Sequence, residues 1–202
     1  PWMYSKIKKG DIRSMRKVLQ LLSVVVVGIA VALMLISPEL VLIFGSPKYR
    51  EAVYVIPPVA ASVFFIFIYN ILSMPQFYYE KTQFLMAASM AAAGANVVLN
   101  FIFIRLFGYI AAGYTTLACY MLYSVGHYIV SKRILVNEGI QENLMSPGFL
   151  VACSVFLIGA SIICNLIFPY RILRYAILLA SAGLVFWKKE LLLKTMADIR
   201  KK

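Results

Sequence analysis

Charged residues, and acids in particular, are scarce in this chain. Asp, Glu, Lys and Arg make up 14% of its 202 residues, whereas about a quarter is usual for a globular domain. Only 8 residues are acids, against 20 Lys and Arg, so the formal net charge is +12. Hydrophobic residues make up 62% and the mean hydropathy is +0.85. This balance argues against a soluble domain and indicates a polytopic membrane protein.

The residues that build metal sites, disulfide frameworks and active sites are also scarce. Cys119, Cys153 and Cys164 lie in apolar runs without a CxxC pair, and His127 is the only histidine. We therefore expect free thiols, no metal and no cofactor. The sequence has no nucleophile elbow, no phosphate-binding glycine loop and no HExxH motif. Because the predicted loops are also short, we expect no catalytic residues and a protein that is not an enzyme.

The excess of basic residues does not indicate binding to nucleic acid. Lys and Arg are concentrated in the chain ends and the predicted loops, without the interleaved aromatic residues of an RNA-binding face. Six lie in residues 1–17 and six in residues 188–202. We expect these two segments to contact anionic membrane lipids, with a role in holding a lipid pyrophosphate as the alternative.

Six apolar runs, bounded by polar residues or prolines, predict an all-α membrane protein with about six transmembrane helices. The residue before a proline is disfavoured in a helix, so Ser37-Pro38 and Met74-Pro75 predict the ends of the first two spans. Pro57-Pro58 predicts that the second span starts late or is kinked. The predicted spans are residues 18–36, 52–73, 84–104, 110–130, 148–168 and 172–187.

Six spans place both chain ends on one side of the membrane. That side carries fifteen Lys and Arg and the other side five, so the positive-inside rule predicts that both termini are cytoplasmic and that the chain lies in the cell membrane. The predicted organisation is a basic cytoplasmic segment (1–17), a four-helix membrane core (18–130), a cytoplasmic linker (131–147), a final transmembrane hairpin (148–187) and a basic cytoplasmic tail (188–202).

All eight acids fall outside the predicted spans. Intramembrane carboxylates are typical of proton- or sodium-coupled transporters, so this chain shows no ion-coupling site in its spans. Arg174 is the one basic residue within the predicted last span, and we expect its long side chain to snorkel to the membrane surface.

Polar residues in the third and fourth spans recur at steps of three and four, which places them on one face of each helix. A polar group in hydrocarbon needs a partner or water, so these faces lie against other helices or line a hydrated cavity; both interpretations stay open. The faces comprise Ser89, Ala93, Asn96 and Asn100, and then Thr116, Tyr120, Ser124, His127 and Ser131. The candidate cavity-lining, substrate-binding residues are Asn96, Asn100, Tyr120, Ser124 and His127.

Small and aromatic residues in the spans predict packing and anchoring. Small-xxx-small spacing lets two helix backbones approach closely, and it predicts a tight contact between the third and fourth spans. Aromatic residues near span ends predict a belt at the membrane surface. The small residues are Ala88, Ala91, Ala92, Ala95, Gly108, Ala112 and Thr116, and the aromatic ones Tyr69, Tyr78, Tyr79, Tyr109, Tyr128 and Trp187.

Residues 1–135 resemble bacterial polysaccharide flippases of the MOP superfamily, which groups multidrug, oligosaccharidyl-lipid and polysaccharide exporters. Each motif is weak alone and the ensemble carries the resemblance. The motifs are Phe44-Gly45, Tyr49, Glu51-Ala52, Tyr54 to Val59, Tyr79 to Thr82, Asn96 to Asn100, Phe107 to Thr116 and His127-Tyr128. The resemblance implies two six-helix lobes, often with two extra helices, around a central cavity.

On this resemblance the chain is expected to be the C-terminal part of a longer protein, with the N-terminal lobe as its partner. The implied activity is alternating access, which moves a polyprenyl-pyrophosphate-linked oligosaccharide from the inner to the outer leaflet for polysaccharide biosynthesis in the cell envelope. A multidrug antiporter of the same superfamily and a non-transporting assembly subunit are the alternatives. The antiporter would need a coupling carboxylate in its spans.

Overall fold

The computed structural model describes residues 2–187, and no strand occurs among them. The predicted tail, residues 188–202, lies outside the described residues. A 3-10 helix, Pro47–Tyr54, lies between α2 and α3. The α-helices are α1 (Trp2–Lys8), α2 (Ile12–Phe44), α3 (Ile56–Tyr78), α4 (Gln83–Phe107), α5 (Ala111–Asn137), α6 (Pro147–Ile167) and α7 (Arg171–Trp187).

Four of these helices, α2, α3, α4 and α6, are long and apolar enough to cross a membrane. The all-α class is therefore confirmed, and the four helices support a membrane protein. The predicted number of about six spans is not confirmed. Helix α5 is not among the four, and α7 has only 17 residues. Membrane spans usually need about 17–25 residues, so α7 lies at the lower limit.

Helix α2 continues through Pro38 to Phe44, so the predicted end at Ser37-Pro38 is wrong. A proline has no N–H for the carbonyl four residues earlier, which here belongs to Met34. The Ser37 hydroxyl donates to that oxygen at 2.8 Å, and Arg174 Nη1 donates to the next carbonyl, of Leu35, at 2.6 Å. Side chains thus satisfy the backbone around the proline, and the helix does not need to end.

Helix α3 differs from the prediction at both ends. It continues past Pro75 to Tyr78, so the predicted end at Met74-Pro75 is also wrong. Pro75 and Gln76 are buried there, and tertiary packing offsets the lost backbone hydrogen bond. At the other end α3 begins at Ile56 with proline in its first turn, where the missing N–H costs nothing. The late start predicted from Pro57-Pro58 is confirmed.

Helix α5 extends seven residues into the predicted linker, which shortens that connection to residues 138–146. Ser131, Ile134 and Leu135 are buried and share a face, while Lys132 and Arg133 are exposed. The three buried residues continue the helical spacing of the span. The helical spacing of the apolar residues therefore predicts the end of α5 better than the position of Lys132 and Arg133 does. The linker predicted for residues 131–147 is too long.

Helix α3 is the centre of the bundle, packed against α5, α2 and α6, whereas α4 packs mainly against α5. Helix α7 contacts α2 and α6. No residue of α4 is buried. The core side chains with the least exposure include Ile12, Met15, Met34, Phe64, Ile68, Leu72, Leu135, Met145 and Leu157.

Polar contacts fix which connections lie at each end of the bundle. Arg16 lies near the start of α2, and its Nε donates a hydrogen bond to the backbone oxygen of Asn143 at 2.7 Å. Its guanidinium also forms an ion pair with Glu142 at 3.3 Å. Lys81, just after α3, pairs with Glu138, just after α5, at 3.1 Å. The start of α2, the α3–α4 turn and the α5–α6 connection therefore share one end of the molecule.

Candidate functional site

Polar side chains from α3, α4 and α5 line a groove of about 460 Å³. Helix α4 packs mainly against α5, and the rest of the α4 surface contacts little of the other described helices. This arrangement leaves the groove open. Its polar atoms come from one tyrosine-rich wall on α3 and α5 and from one serine and one asparagine on α4. The lining comprises Tyr69, Ser89, Ala92, Ala93, Asn96, Val97, Thr116, Cys119, Tyr120 and Tyr123.

The tyrosines form a connected aromatic wall. The ring of Tyr69 lies parallel to that of Tyr120 at 6.3 Å and contacts the edge of Tyr123 at 4.7 Å. The Tyr123 hydroxyl is hydrogen-bonded to Ser89 Oγ at 2.7 Å, which ties this wall to α4. Offset and edge-on aromatic pairs are favourable beyond their buried area. The wall is therefore held in place before anything binds in the groove.

Asn96 lines the groove with its Nδ2 unbonded, whereas Asn100 lies outside the lining and is bonded through both its nitrogen and its oxygen. Asn100 Nδ2 donates to Asn96 Oδ1 at 2.8 Å, and the Thr115 hydroxyl donates to Asn100 Oδ1. Asn100 thus joins α4 to α5. The amide Nδ2 of Asn96 has no acceptor within the part of the chain that the structure describes. Its two N–H groups are available to a bound molecule.

Ser124 and His127 are buried against α3. Ser124 Oγ donates to the backbone oxygen of Phe65 at 2.9 Å. His127 is 0% exposed, and its Nδ1 lies 2.7 Å from Nε2 of the equally buried Gln76. Both contacts join α5 to α3, as interhelical hydrogen bonds do in membrane bundles. The five candidate residues therefore divide: Asn96 and Tyr120 line the groove, and the other three join helices.

The imidazole of His127 also packs against aromatic rings that line the groove. The rings of Tyr123, Phe84 and Tyr69 surround it at centroid distances of 4.5, 5.4 and 5.8 Å. Two of these rings are groove walls. His127 is therefore a packing partner of the site, and its own nitrogen atoms lie outside the groove lining.

Two tyrosines of the groove, Tyr69 and Tyr123, were not among the five candidates. Tyr69 was interpreted as part of a surface belt, but it lies within α3 and packs in the groove wall. Tyr123 lies three residues after Tyr120 and four before His127, so helical spacing alone could have placed it on the same face. Ser89 belonged to the predicted polar face of α4.

The predicted contact between the third and fourth spans is present, since α4 packs mainly against α5. Not all of the small residues lie in it, because Ala91 and Ala95 of α4 are exposed. A further close approach joins α5 to the start of α3, where a Cβ on Gly113 would lie 2.8 Å from Pro58 Cγ and 3.0 Å from the Val55 oxygen. Sequence spacing gave the small positions, but it could not say which helix they contact.

A second polar cluster joins α2 to α7. Arg174 donates to both carboxylate oxygens of Glu39 at 2.8 Å each, and the Tyr175 hydroxyl donates to Glu39 at 2.9 Å. The prediction that Arg174 snorkels is wrong, because its side chain is 3% exposed and paired. Glu39, predicted in a loop, lies within helix α2.

No group of His, Cys, Asp and Glu that could hold a metal ion occurs among residues 2–187. Cys119 and Cys164 are buried and Cys153 is half-buried, all as free thiols. The chemistry that the groove offers is thus hydrogen bonding by an amide and hydroxyls, together with contact to aromatic rings. No protein-family model, curated protein or solved structure gives a significant match to this chain.

Proposed function

We propose that this chain is part of a membrane flippase that moves a polyprenyl-pyrophosphate-linked oligosaccharide from the inner to the outer leaflet. The observation that supports the proposal best is the polar groove beside α4, which is lined by Asn96, whose Nδ2 is unbonded, and by the rings of Tyr69 and Tyr120. Polar residues within apolar helices are costly unless they have partners, and a substrate pathway is a common reason for keeping them.

The chemistry of the groove suits a sugar. Amide N–H groups and tyrosine hydroxyls bond to sugar hydroxyls, and aromatic faces pack on the apolar faces of sugar rings. Polar groups and aromatic rings both line one space of about 460 Å³. The apolar outer surfaces of α2 and α6 would let a prenyl chain stay in the hydrocarbon while its head group moves.

The proposed flippase has a second lobe that covers α4. Val97, Val98 and Phe101 are exposed on this helix, and none of its residues is buried. A lobe packed there would close the groove into a cavity between two halves of the protein. In the same proposal α5 and α7 are the two further spans, both termini are cytoplasmic, and anionic lipids bind the basic ends.

The multidrug antiporter remains the second candidate because of Glu39. The lack of a carboxylate in the spans argued against ion coupling, and Glu39 lies within α2. Both of its oxygens, however, accept hydrogen bonds from Arg174, and one also from Tyr175. A carboxylate neutralised in this way is poorly suited to exchange a proton or sodium ion, so the flippase is preferred. The function of a non-transporting assembly subunit would not depend on the groove, so substitutions in the groove would not affect it.

The proposal is tested by complementation of a flippase-null strain with the full-length transporter. Asn96→Leu and Tyr120→Leu should abolish surface polysaccharide while leaving protein abundance and the detergent melting temperature nearly unchanged. Asn70→Leu is the matched control, since this exposed amide lies outside the groove lining and bonds only to its own helix, at Ile66. Normal polysaccharide in both groove variants would remove the groove from the transport path.

A further inference from the structure

Three arginines lie around one cleft at the end of the bundle where α2 stops and α7 starts. The cleft has a volume of about 460 Å³ and is separate from the groove beside α4. Three guanidinium groups face a single carboxylate, that of Glu39, in its lining. The lining comprises Pro38, Glu39, Val41, Leu42, Arg50, Val53, Phe168, Pro169, Arg171 and Arg174.

The three arginines have different roles, because only one has its charge compensated. Arg174 is buried and held in place by both oxygens of Glu39. Arg50 and Arg171 are exposed, and neither is paired with a carboxylate within the described part of the chain. Arg171 contacts the uncharged Tyr175, through a long hydrogen bond of 3.3 Å to its hydroxyl and a distance of 5.7 Å to its ring centroid. The uncompensated charge of the cleft is thus carried by Arg50 and Arg171.

The backbone adds to the positive potential of this cleft. Helix α7 begins at Arg171, directly after Pro169 and Tyr170 in the turn. The first N–H groups of a helix have no partner within it, and the helix dipole is positive at this end. A helix start combined with two uncompensated guanidinium groups is suited to the oxygens of a phosphate, which arginine binds through two parallel hydrogen bonds.

The surroundings of the cleft are apolar. Leu42 in its lining is 65% exposed, and Phe44 and Ile172, which lie within two residues of lining positions in the sequence, are 84% and 87% exposed. Large exposed apolar side chains around a positive cleft fit an amphiphile, whose acyl chains would lie on them while its charged group enters the cleft. A phosphate without a lipid would use the arginines and leave these side chains uncovered.

We propose that this cleft binds a phosphate group. Arg50 and Arg171 contact the phosphate, and Arg174, held in place by Glu39, lines the cleft beside them. The chemistry is that of a phosphodiester or phosphomonoester, carried by a membrane lipid or free in solution. The proposal does not rest on the flippase function, since the cleft and the groove share no residue.

The test is a binding titration of the detergent-purified protein, followed by native mass spectrometry, with three ligands: phosphatidylglycerol, phosphatidylcholine and inorganic phosphate. The parent should bind phosphatidylglycerol more tightly than phosphatidylcholine. Arg50→Gln and Arg171→Gln should each weaken that binding about tenfold, as expected for loss of a charge-assisted hydrogen bond. Melting curves without ligand should be unchanged, because both side chains are exposed.

Arg105→Gln is the matched control. Arg105 is an exposed arginine in the last turn of α4, packed on the Phe101 ring at 3.8 Å and absent from the cleft lining. Its removal should leave the affinity unchanged. An equal loss of affinity in all three variants would show that general surface charge causes the binding, and it would overturn the proposal. Undetectable binding of every ligand would overturn it as well. Binding of inorganic phosphate without the lipid, sensitive to Arg50 and Arg171, would assign the site to a free phosphate.

Discussion

Arg174 holds both carboxylate oxygens of Glu39 at 2.8 Å and thereby joins helix α7 to helix α2. The same guanidinium reaches the backbone oxygen of Leu35, three residues before Pro38, at 2.6 Å. The buried Arg174 side chain thus neutralises the half-buried Glu39 carboxylate and also donates to a backbone carbonyl near Pro38.

Loss of Glu39 should therefore destabilise the protein more than loss of the whole pair. Glu39→Leu leaves the Arg174 charge buried without a carboxylate, since only the Leu35 carbonyl still accepts from it. We expect a loss of roughly 2–3 kcal/mol, below the range for a fully buried pair because the Glu39 side chain is 23% exposed. The double variant Glu39→Leu/Arg174→Leu should recover much of this. Detergent melting curves measure both, and a double variant less stable than Glu39→Leu would contradict the argument.

Gly113 should not tolerate a larger side chain, because α5 meets the start of α3 there. Even the Cβ of Gly113→Ala would lie 2.8 Å from Pro58 Cγ, and Gly113→Leu should cost roughly 1–3 kcal/mol through overpacking. Gly94→Ala is the control: its Cβ would meet nothing within 4 Å, so the better helix propensity of alanine should leave stability unchanged or slightly higher. Equal melting of Gly113→Leu and the parent would show that α3 and α5 do not approach closely.

The two groups of polar residues should respond differently to mutation. His127→Leu removes the partner of Gln76, whose buried amide then lacks its interhelical bond, at a cost of about 1–3 kcal/mol. Ser124→Ala removes one bond to the Phe65 oxygen, worth about 0.6 kcal/mol in a membrane bundle. Asn96→Leu should change stability least. Melting curves of the three variants give the order, and a large loss for Asn96→Leu would make it a helix-joining residue as well.

Cysteine labelling tests which ends of the bundle face the cytoplasm. Ser46 follows the end of α2, while the connection at residues 138–146 contacts the start of α2 through Arg16. The two sites therefore lie at opposite ends, and the charge distribution predicts that Ser46 is outside. In a background lacking native cysteines, an impermeant reagent should label Ser46→Cys and leave Gln141→Cys unlabelled. Gln141 is exposed, whereas Asn143 is half-buried. The absence of labelling at Gln141→Cys would therefore reflect its side of the membrane and not its burial. Labelling of Gln141→Cys alone would invert the topology.

The sequence by itself determined the helical class and the positions of most helices. Long apolar runs can satisfy their backbone only as helices in a membrane, so the predicted third span, 84–104, falls within α4 and the fifth, 148–168, matches α6 within a residue. The spacing of polar residues also determined which of them share a helix face, since that follows from the helical repeat alone.

Only the tertiary structure decided where helices continue through prolines and what each polar face meets. Pro38 does not end α2 because Ser37 and the distant Arg174 take up the exposed carbonyls. Tyr120 and Ser124 lie one turn apart, yet Tyr120 lines a groove and Ser124 bonds to α3. Such outcomes depend on contacts between residues far apart in the chain. A local pattern fixes a side chain's place on its helix, but the neighbouring helices decide whether that side chain joins two helices or remains free to bind.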